Sequence, residues 1–275
     1  MSSEGLAERL AQNRVLVADG GVLKELQARG LPLGESPEAW CVDRPDAVLA
    51  AHRSLVATGA AIVTTNSSGA NRSRYAEETE TILVASVRLA RHAAPKAVIA
   101  GAIGPAGSPL ERRFLFTGQA AALASSGADA LWFESLADAA DAEAALEAAR
   151  PTGIPYVLTF DSSKVALDHD AAARFVELVS RACRFDPQPA TVDVDGSAGP
   201  EFALKAVGMI GALAVPLVVR ASTGLPELRN GAVVHPFGEN EMAGFAIVAR
   251  RLGARILGGC HGVGASMIAA MAEAL

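Results

Sequence analysis

The chain alternates short apolar runs with longer amphipathic segments from one end to the other. Eight of the short runs are continuous in hydrophobicity and rich in Val, Ile and Leu, a pattern typical of parallel strands buried on both faces. We expect these strands at Val15–Ala18, Ala61–Thr65, Ala97–Ile103, Ala130–Phe133, Tyr156–Phe160, Thr191–Val194, Leu217–Val219 and Arg255–Leu257.

Helical patterns lie between these runs, and several of them begin at proline or a capping residue or end at glycine. The main ones are Pro45–Thr58, Glu77–His92, Ala120–Ser126, Ala137–Arg150, Ala171–Cys183, Pro200–Leu213 and Glu239–Leu252.

The strands recur every 25 to 45 residues, roughly the length of one βα unit, and no low-complexity linker divides the chain. Eight such units predict an α/β fold of the (β/α)₈ TIM-barrel type, with residues 1–275 forming one domain. A doubly wound open sheet is the alternative. No G-x-G-x-x-G follows the first strand, however, and an open sheet rarely needs eight parallel units.

Composition narrows the classes of function. Hydrophobic residues make up 51% and charged residues 20% of the chain, as in a globular enzyme. The net charge of −6 and the lack of a basic cluster exclude nucleic acid as a partner. No run reaches the roughly 18–20 apolar residues of a membrane span, and no signal pattern opens the chain. Three cysteines do not form a disulfide framework, so we expect a cytoplasmic protein.

Polar residues follow the predicted strands at their carboxyl ends. In a barrel these ends meet at one mouth, where the active sites of the fold lie. Acids, amides, hydroxyls and glycines gathered there predict a site for a small polar ligand. Its candidate residues are Asp19, Gly20, Gly21, Asn66, Glu134, Ser135, Asp193, Asp195, Arg220, Cys260 and His261.

The last strand leads into the sequence Gly-Gly-Cys-His-Gly at residues 258–262. A thiol and an imidazole side by side on a glycine-rich turn are suitable ligands for one corner of a zinc tetrahedron. A buried cysteine next to a loop histidine is the alternative interpretation.

Seven segments, taken in order, resemble the homocysteine S-methyltransferase family, which includes the betaine-dependent enzymes and the homocysteine module of cobalamin-dependent methionine synthase. The segments are VLVADGGVLKELQARG, RPDAVLAAHRSLVATGAAIVTTNSSGANRSR, AGAIGPAGS, GADALWFESLADAADAEAALEAAR, GSAGPEFAL, PLVVRASTGLPEL and GGCHG. The resemblance spans nearly the whole chain. It implies a TIM barrel and a methyltransferase of methionine biosynthesis that acts on the homocysteine thiol.

The resemblance also implies a zinc ion that three cysteines bind and that activates the thiol. Gly196, Cys260 and His261 stand at these three positions, so two of the cysteines are replaced. We expect instead a weak mixed zinc site at Cys260 and His261, both of which are also candidate catalytic residues. The third ligand would be Asp193, Asp195 or His235. The alternative is that metal binding is lost and His261 acts as a base.

The amino-acid end of the pocket is implied by the same resemblance. Glu134 would receive the substrate ammonium with help from Asp19. The methyl donor would be an onium, folate or corrinoid compound. A corrinoid or folate donor would arrive free or on a partner protein, because no module for it is attached. The remaining substrate-binding candidates are Gly20, Gly21, Asn66 and Ser135, of which the first three would donate to the substrate carboxylate.

Three functions remain open at this point. The first is an S-methyltransferase with an altered zinc site. The second is an enzyme that uses the family scaffold for zinc-free chemistry, with His261 as its base. The third is a non-catalytic amino-acid-binding subunit that pairs with a methyl-carrier protein.

Overall fold

A computed structural model describes residues 5–12, 14–105, 108–161, 173–174, 176–180, 191–196, 199–210, 216–224, 227–229 and 232–275. Ten strands are assigned in this part of the chain. In order, β1 to β10 span Leu16–Val17, Ile62–Thr64, Val98–Ile103, Ala130–Leu136, Tyr156–Asp161, Thr191–Gly196, Leu217–Ala221, Glu227–Arg229, Ala232–Val234 and Ala254–Gly259.

Eight of these strands form a parallel sheet in the order β1-β10-β7-β6-β5-β4-β3-β2. The two ends of the sheet are joined by a parallel bridge between Ala18 and Ile62. Backbone bonds from Asp19 N to Ile62 O (2.9 Å) and from Ala61 N to Val17 O (2.7 Å) complete this junction. The sheet therefore closes into the (β/α)₈ barrel that the strand pattern predicts.

Helices surround the barrel on its outside. In the described part of the chain, α1 to α11 span Leu6–Ala11, Val22–Gln27, Trp40–Asp43, Pro45–Val56, Arg72–Tyr75, Thr79–Ala93, Pro109–Ser125, Ala139–Ala149, Pro200–Ile210, Glu239–Arg251 and Ala265–Glu273. Residues 173–174 and 176–180 are also helical, within the predicted segment Ala171–Cys183, the remainder of which lies outside the described residues. No helix among the described residues is long and apolar enough to cross a membrane.

Each face of the sheet packs into its own apolar core. The inner core fills the barrel with side chains from its strands, including Ile62, Ala130 and Trp132, and Leu6 of α1 packs against them. The outer core lies between the sheet and the helices. Small residues on several strands leave space inside the barrel for Trp132, whose Nε1 donates to Thr159 Oγ1 at 2.9 Å.

Besides shifts of one or two residues at element ends and the unpredicted helices α2, α3 and α5, three differences from the predicted elements stand out. Strand β4 continues beyond Phe133 to Leu136 through a break in its register with β5. Helix α7 begins at Pro109 rather than Ala120, because Ser108 and Glu111 form a capping box at its start. The antiparallel pair β8–β9 was not predicted, because each of its strands has only three residues.

His52 is fully buried on α4, which packs against α2 and α6. Neither of its ring nitrogens has a hydrogen-bond partner among the described residues. Because burial disfavours the charged ring, the pKa of His52 falls from 6.5 to about 4. The unfolded chain therefore binds a proton more readily than the folded one between these two pH values.

We predict that His52 makes the protein acid-sensitive. Its contribution to the free energy of unfolding is complete above pH 6.5 and falls by roughly 3 kcal/mol as the pH drops towards 4. Urea unfolding of wild type and His52→Leu across this range should show a stability difference that shifts in favour of the variant as the pH falls. Replacement of the exposed His92 by Leu is the control. A constant difference between wild type and His52→Leu would contradict the prediction.

Candidate functional site

A cavity of about 640 Å³ opens at the carboxyl ends of the barrel strands. Its walls come from the loops after β1, β2 and β10 and from the ends of β3, β4 and β7. The volume suits a small metabolite. The cavity is at the mouth where the sequence predicts the site, and its wall contains most of the candidate residues: Gly20, Gly21, Asn66, Glu134, Arg220, His235, Cys260 and His261.

The loop after β1 is compact because two glycines let another loop approach it. A Cβ atom on Gly20 would lie 2.8 Å from the carbonyl oxygen of Val263, and one on Gly21 would lie 3.0 Å from that of Cys260. Gly21 N donates to Val263 O at 3.0 Å. These close contacts hold the Cys260 loop against the end of the first strand, so that both loops line one cavity.

Asp19 lies beneath this loop and is only 2% exposed. Its carboxylate accepts hydrogen bonds from the backbone N (3.0 Å) and the Oγ1 (2.9 Å) of Thr64 on β2. Burial raises the pKa of Asp19 to about 7, and the nearby charge of Glu134 adds to this effect. The Thr64 bonds and the charge of Arg220 oppose it. Asp19 therefore changes its charge near neutral pH.

Glu134 and Arg220 form an ion pair on the floor of the cavity. Arg220 Nη1 donates to Glu134 Oε1 at 3.0 Å, and Ser68 Oγ donates to Glu134 Oε2 at 2.7 Å. The Arg220 guanidinium also donates to Thr159 Oγ1 at 3.2 Å and stacks on the Trp132 ring at 4.9 Å. The Glu134 side chain stays 23% exposed, whereas that of Arg220 is 7% exposed. The glutamate thus faces the cavity with its charge already balanced.

A break in the strand directs Glu134 towards the cavity. Ser135 has a φ of 56°, a conformation that residues other than glycine rarely adopt, and the register between β4 and β5 shifts between Phe133 and Leu136. Ser135 itself does not line the cavity, although the sequence marks it as a substrate-binding candidate. In the structure, Ser135 forms the bend beside Glu134.

Asn66 lines the cavity, but its amide group bonds within the protein. Its Nδ2 donates to Pro37 O at 2.7 Å and contacts the Cys41 sulfur at 3.5 Å, and the residue is 5% exposed. Gly21 N likewise donates to Val263 O. Two of the three donors predicted for a substrate carboxylate, Asn66 and Gly21, therefore have protein partners.

Cys260, His261 and His235 also line the cavity. Cys260 is partly exposed, and both histidines are exposed. His235 follows the β8–β9 pair, and its Nδ1 lies 2.8 Å from Thr223 Oγ1. Thr223 also binds the backbone of His261, through its N (3.1 Å) and its Oγ1 (3.4 Å). Two imidazoles and one thiol therefore line the rim, without forming a cluster of three metal ligands.

These donors do not fit the zinc site that the family resemblance implies. Among the described residues, no group of three His, Cys, Asp or Glu side chains lies close enough to hold a metal ion. Glycine occupies position 196 at the end of β6, where the resemblance places a cysteine. The side chains of Asp193 and Asp195 lie outside the described residues. Cys260 and His261 alone provide two ligands, fewer than the three protein ligands of a catalytic zinc site.

Two contributors to the site were not singled out from the sequence. Ser68 and Thr223 lie in loops where hydroxyl residues are common, and nothing in their spacing marks them. Arg220, by contrast, is among the predicted residues, because it is a charged residue at the end of the apolar run Leu217–Val219. Its position two residues after Val218, which faces the barrel interior, predicts that it faces the same way.

The fold and the cavity define a TIM barrel with a polar small-molecule site at the strand ends. The sequence model that defines the homocysteine S-methyltransferase family matches residues 16–275. The chain therefore belongs to this family. This confirms the resemblance that the sequence segments carry.

Two curated relatives and one solved structure illustrate the likeness. The S-methylmethionine–homocysteine S-methyltransferase of Pongo abelii is 27% identical over 302 residues, which cover 100% of this chain and 82% of the relative. Betaine–homocysteine S-methyltransferase 1 of Rattus norvegicus is 28% identical, covering 100% of this chain and 75% of the relative. The metallated homocysteine methyltransferase MmuM from Escherichia coli has the same fold, with a TM-score of 0.79, 23% identity, and coverage of 95% of this chain and 96% of that one.

The raised pKa of Asp19 has a measurable effect on stability. The folded chain favours the neutral form of the Asp19 carboxyl. Protonation of Asp19 therefore stabilises the folded state fully below pH 3.8, and this stabilisation is lost as the pH rises through about 7. Relative to wild type, Asp19→Asn should gain up to about 4 kcal/mol of unfolding free energy between pH 4 and pH 8. Carbon-13 NMR of the side-chain carboxyls should show one resonance that titrates near pH 7 and is lost in the variant. A resonance that titrates near 4 instead would contradict this assignment.

Proposed function

We propose that this protein transfers a methyl group to the thiol of homocysteine, or of a closely similar amino acid, bound in the cavity at the barrel mouth. The observation that carries the proposal is the partly exposed Glu134 carboxylate on the cavity floor, near the charge of Asp19. Membership of the homocysteine S-methyltransferase family supports it.

In this proposal the substrate ammonium binds Glu134. An ionised carboxylate has about four lone-pair positions, and Ser68 and Arg220 each engage one oxygen of Glu134. The group can therefore accept a further charge-assisted bond from the ammonium. An arriving cation also favours the ionised form of Asp19, which then adds a second negative charge to the same end of the site.

The thiol needs a base, because the described donors do not fit a zinc ion. His261 and His235 both line the cavity, and a histidine base is suited to removing a thiol proton near neutral pH. The resulting thiolate attacks the methyl carbon of the donor. The new S–C bond forms as the bond between the methyl and the donor heteroatom breaks. The donor leaves with that electron pair, and the histidine carries the proton away.

An onium compound is the donor class that the relatives favour. Betaine and S-methylmethionine appear in the names of the two curated relatives. Either compound leaves as a neutral amine or thioether once its methyl is removed. A folate or corrinoid donor, delivered free or on a partner protein, is the alternative within the same proposal.

A second candidate function is an amino-acid-binding subunit without catalysis of its own. The observation that favours it is the replacement of two family zinc ligands by Gly196 and His261. It shares the substrate site with the first proposal and differs in that no methyl group is transferred from either onium donor to the thiol.

The substrate site is tested by Glu134→Gln. Because removal of one charge from a buried charge-assisted pair costs on the order of 2–5 kcal/mol, the variant should bind homocysteine at least tenfold more weakly in calorimetry. Glu80→Gln, the same change on the exposed surface of α6, should bind as wild type does. Unchanged affinity in Glu134→Gln would show that this glutamate is structural.

Metal removal tests how the thiol is activated. We expect wild type and Cys260→Ala, each incubated with zinc and desalted, to retain the same small amount of metal, well below one ion per chain. We also expect a chelator to leave methyl transfer from betaine or S-methylmethionine unchanged. One zinc per wild-type chain that Cys260→Ala loses would instead support the mixed site at Cys260 and His261, with Asp193, Asp195 or His235 as its third ligand.

A further inference from the structure

Helix α2 contributes two polar side chains to the wall of the cavity. Lys24 and Gln27 both line it, and both are half-buried. They are three residues apart on the helix, a spacing that places side chains on one face. Among the described residues, neither the Lys24 ammonium nor the Gln27 amide has a hydrogen-bond or ion-pair partner. This face of α2 therefore offers a charged donor and a neutral donor to a ligand.

The other charged groups of the described wall already have protein partners. Glu134 pairs with Arg220 at 3.0 Å. Glu38 is buried and accepts hydrogen bonds from the Tyr75 hydroxyl at 3.1 Å and from a backbone N–H of the loop after β2 at 2.8 Å. Lys24 thus adds a positive charge that the described wall does not compensate. A negative group on a ligand would compensate it through a charge-assisted hydrogen bond.

Lys24 lies beside the rim where the proposed methyl transfer takes place. A Cβ atom on Gly264 would lie 3.5 Å from Lys24 Cε, so the lysine stem contacts the end of the loop that carries Cys260 and His261. Glu134 is on β4, three strands away from β1 around the closed sheet. The ammonium of Lys24 and the carboxylate of Glu134 therefore belong to different parts of the cavity wall.

We propose that Lys24 and Gln27 bind the carboxylate of the methyl donor, an onium compound that also carries a carboxylate. This inference rests on the proposed function and assigns the donor site. Homocysteine has its ammonium and carboxylate on one carbon, so an ammonium bound at Glu134 keeps both groups near the floor. The donor enters at the rim, with its carboxylate on α2 and its methyl towards the thiol. An onium cation without a carboxylate is disfavoured, because the lysine charge repels it.

Calorimetry with two ligands that cannot donate a methyl group tests the site without turnover. The acid, 3,3-dimethylbutanoate, has the shape of betaine with a tert-butyl group in place of the trimethylammonium. The alcohol, 3,3-dimethyl-1-butanol, has the same tert-butyl group and no charge. With homocysteine present, we expect wild type to bind the acid at least about fivefold more tightly than the alcohol, because only the acid pairs with the half-buried ammonium. Equal affinities would overturn the inference without the need for any variant.

Lys24→Met assigns the preference to the residue, because methionine keeps much of the aliphatic stem and removes the charge. The preference for the acid should disappear in this variant, while the affinities for the alcohol and for homocysteine stay the same. Lys96→Met, the same change at the exposed position before β3, is the matched control and should behave as wild type does. Gln27→Leu should lose a smaller part of the acid affinity. A preference that survives in Lys24→Met, or a loss of homocysteine affinity there, would contradict the assignment.

Competition and turnover separate this inference from the proposed function. Betaine should displace the acid, whereas choline, the same onium without the carboxylate, should not. Displacement by 5-methyltetrahydrofolate alone, which also carries carboxylates, would overturn the onium donor. If the acid binds at Lys24 and neither betaine nor S-methylmethionine methylates homocysteine, the proposed function fails while the carboxylate site is supported. If betaine methylates homocysteine with the same KM in wild type and in Lys24→Met, the function stands and this inference fails.

Discussion

The closure of the sheet between β1 and β2 is the constraint on which the site depends. A single bridge from Ala18 to Ile62, with its flanking backbone bonds, joins the first strand to the second. Closure makes all eight parallel strands end at one mouth, and residues more than two hundred positions apart then line one cavity. The Cys260 loop packs against the loop after β1 only because Gly20 and Gly21 leave room for its carbonyl oxygens.

Three ionisable side chains gather at this mouth, two of them buried and one partly exposed. Asp19, Glu134 and Arg220 lie near one another at the top of the barrel, where water has little access. The charge of Glu134 raises the pKa of Asp19, and the charge of Arg220 lowers it.

The rim of the cavity differs from the pattern that the family resemblance implies. Glycine at position 196 and histidine at position 261 leave Cys260 as the one cysteine of the implied zinc site. Cys260 instead lies with His235 and His261 at the rim, where Thr223 contacts the ring of one histidine and the backbone of the other. Imidazoles can remove a proton from a thiol but cannot polarise it as a metal ion does. In the proposed function, general base catalysis by a histidine therefore takes the place of activation by a metal ion.

The sequence by itself determined the eight strands, their parallel order and the family, because apolar runs and turn residues act locally and recur with the period of a βα unit. It also located the mouth, since polar residues at strand ends converge in any barrel. Only the tertiary structure decided how those residues pair. The bond between Arg220 and Glu134 joins β7 to β4, and the bonds of Asn66 and Gly21 to other loops depend on distances that no local pattern encodes. Pairing and burial are properties of the folded chain, and they set the charge state on which recognition depends.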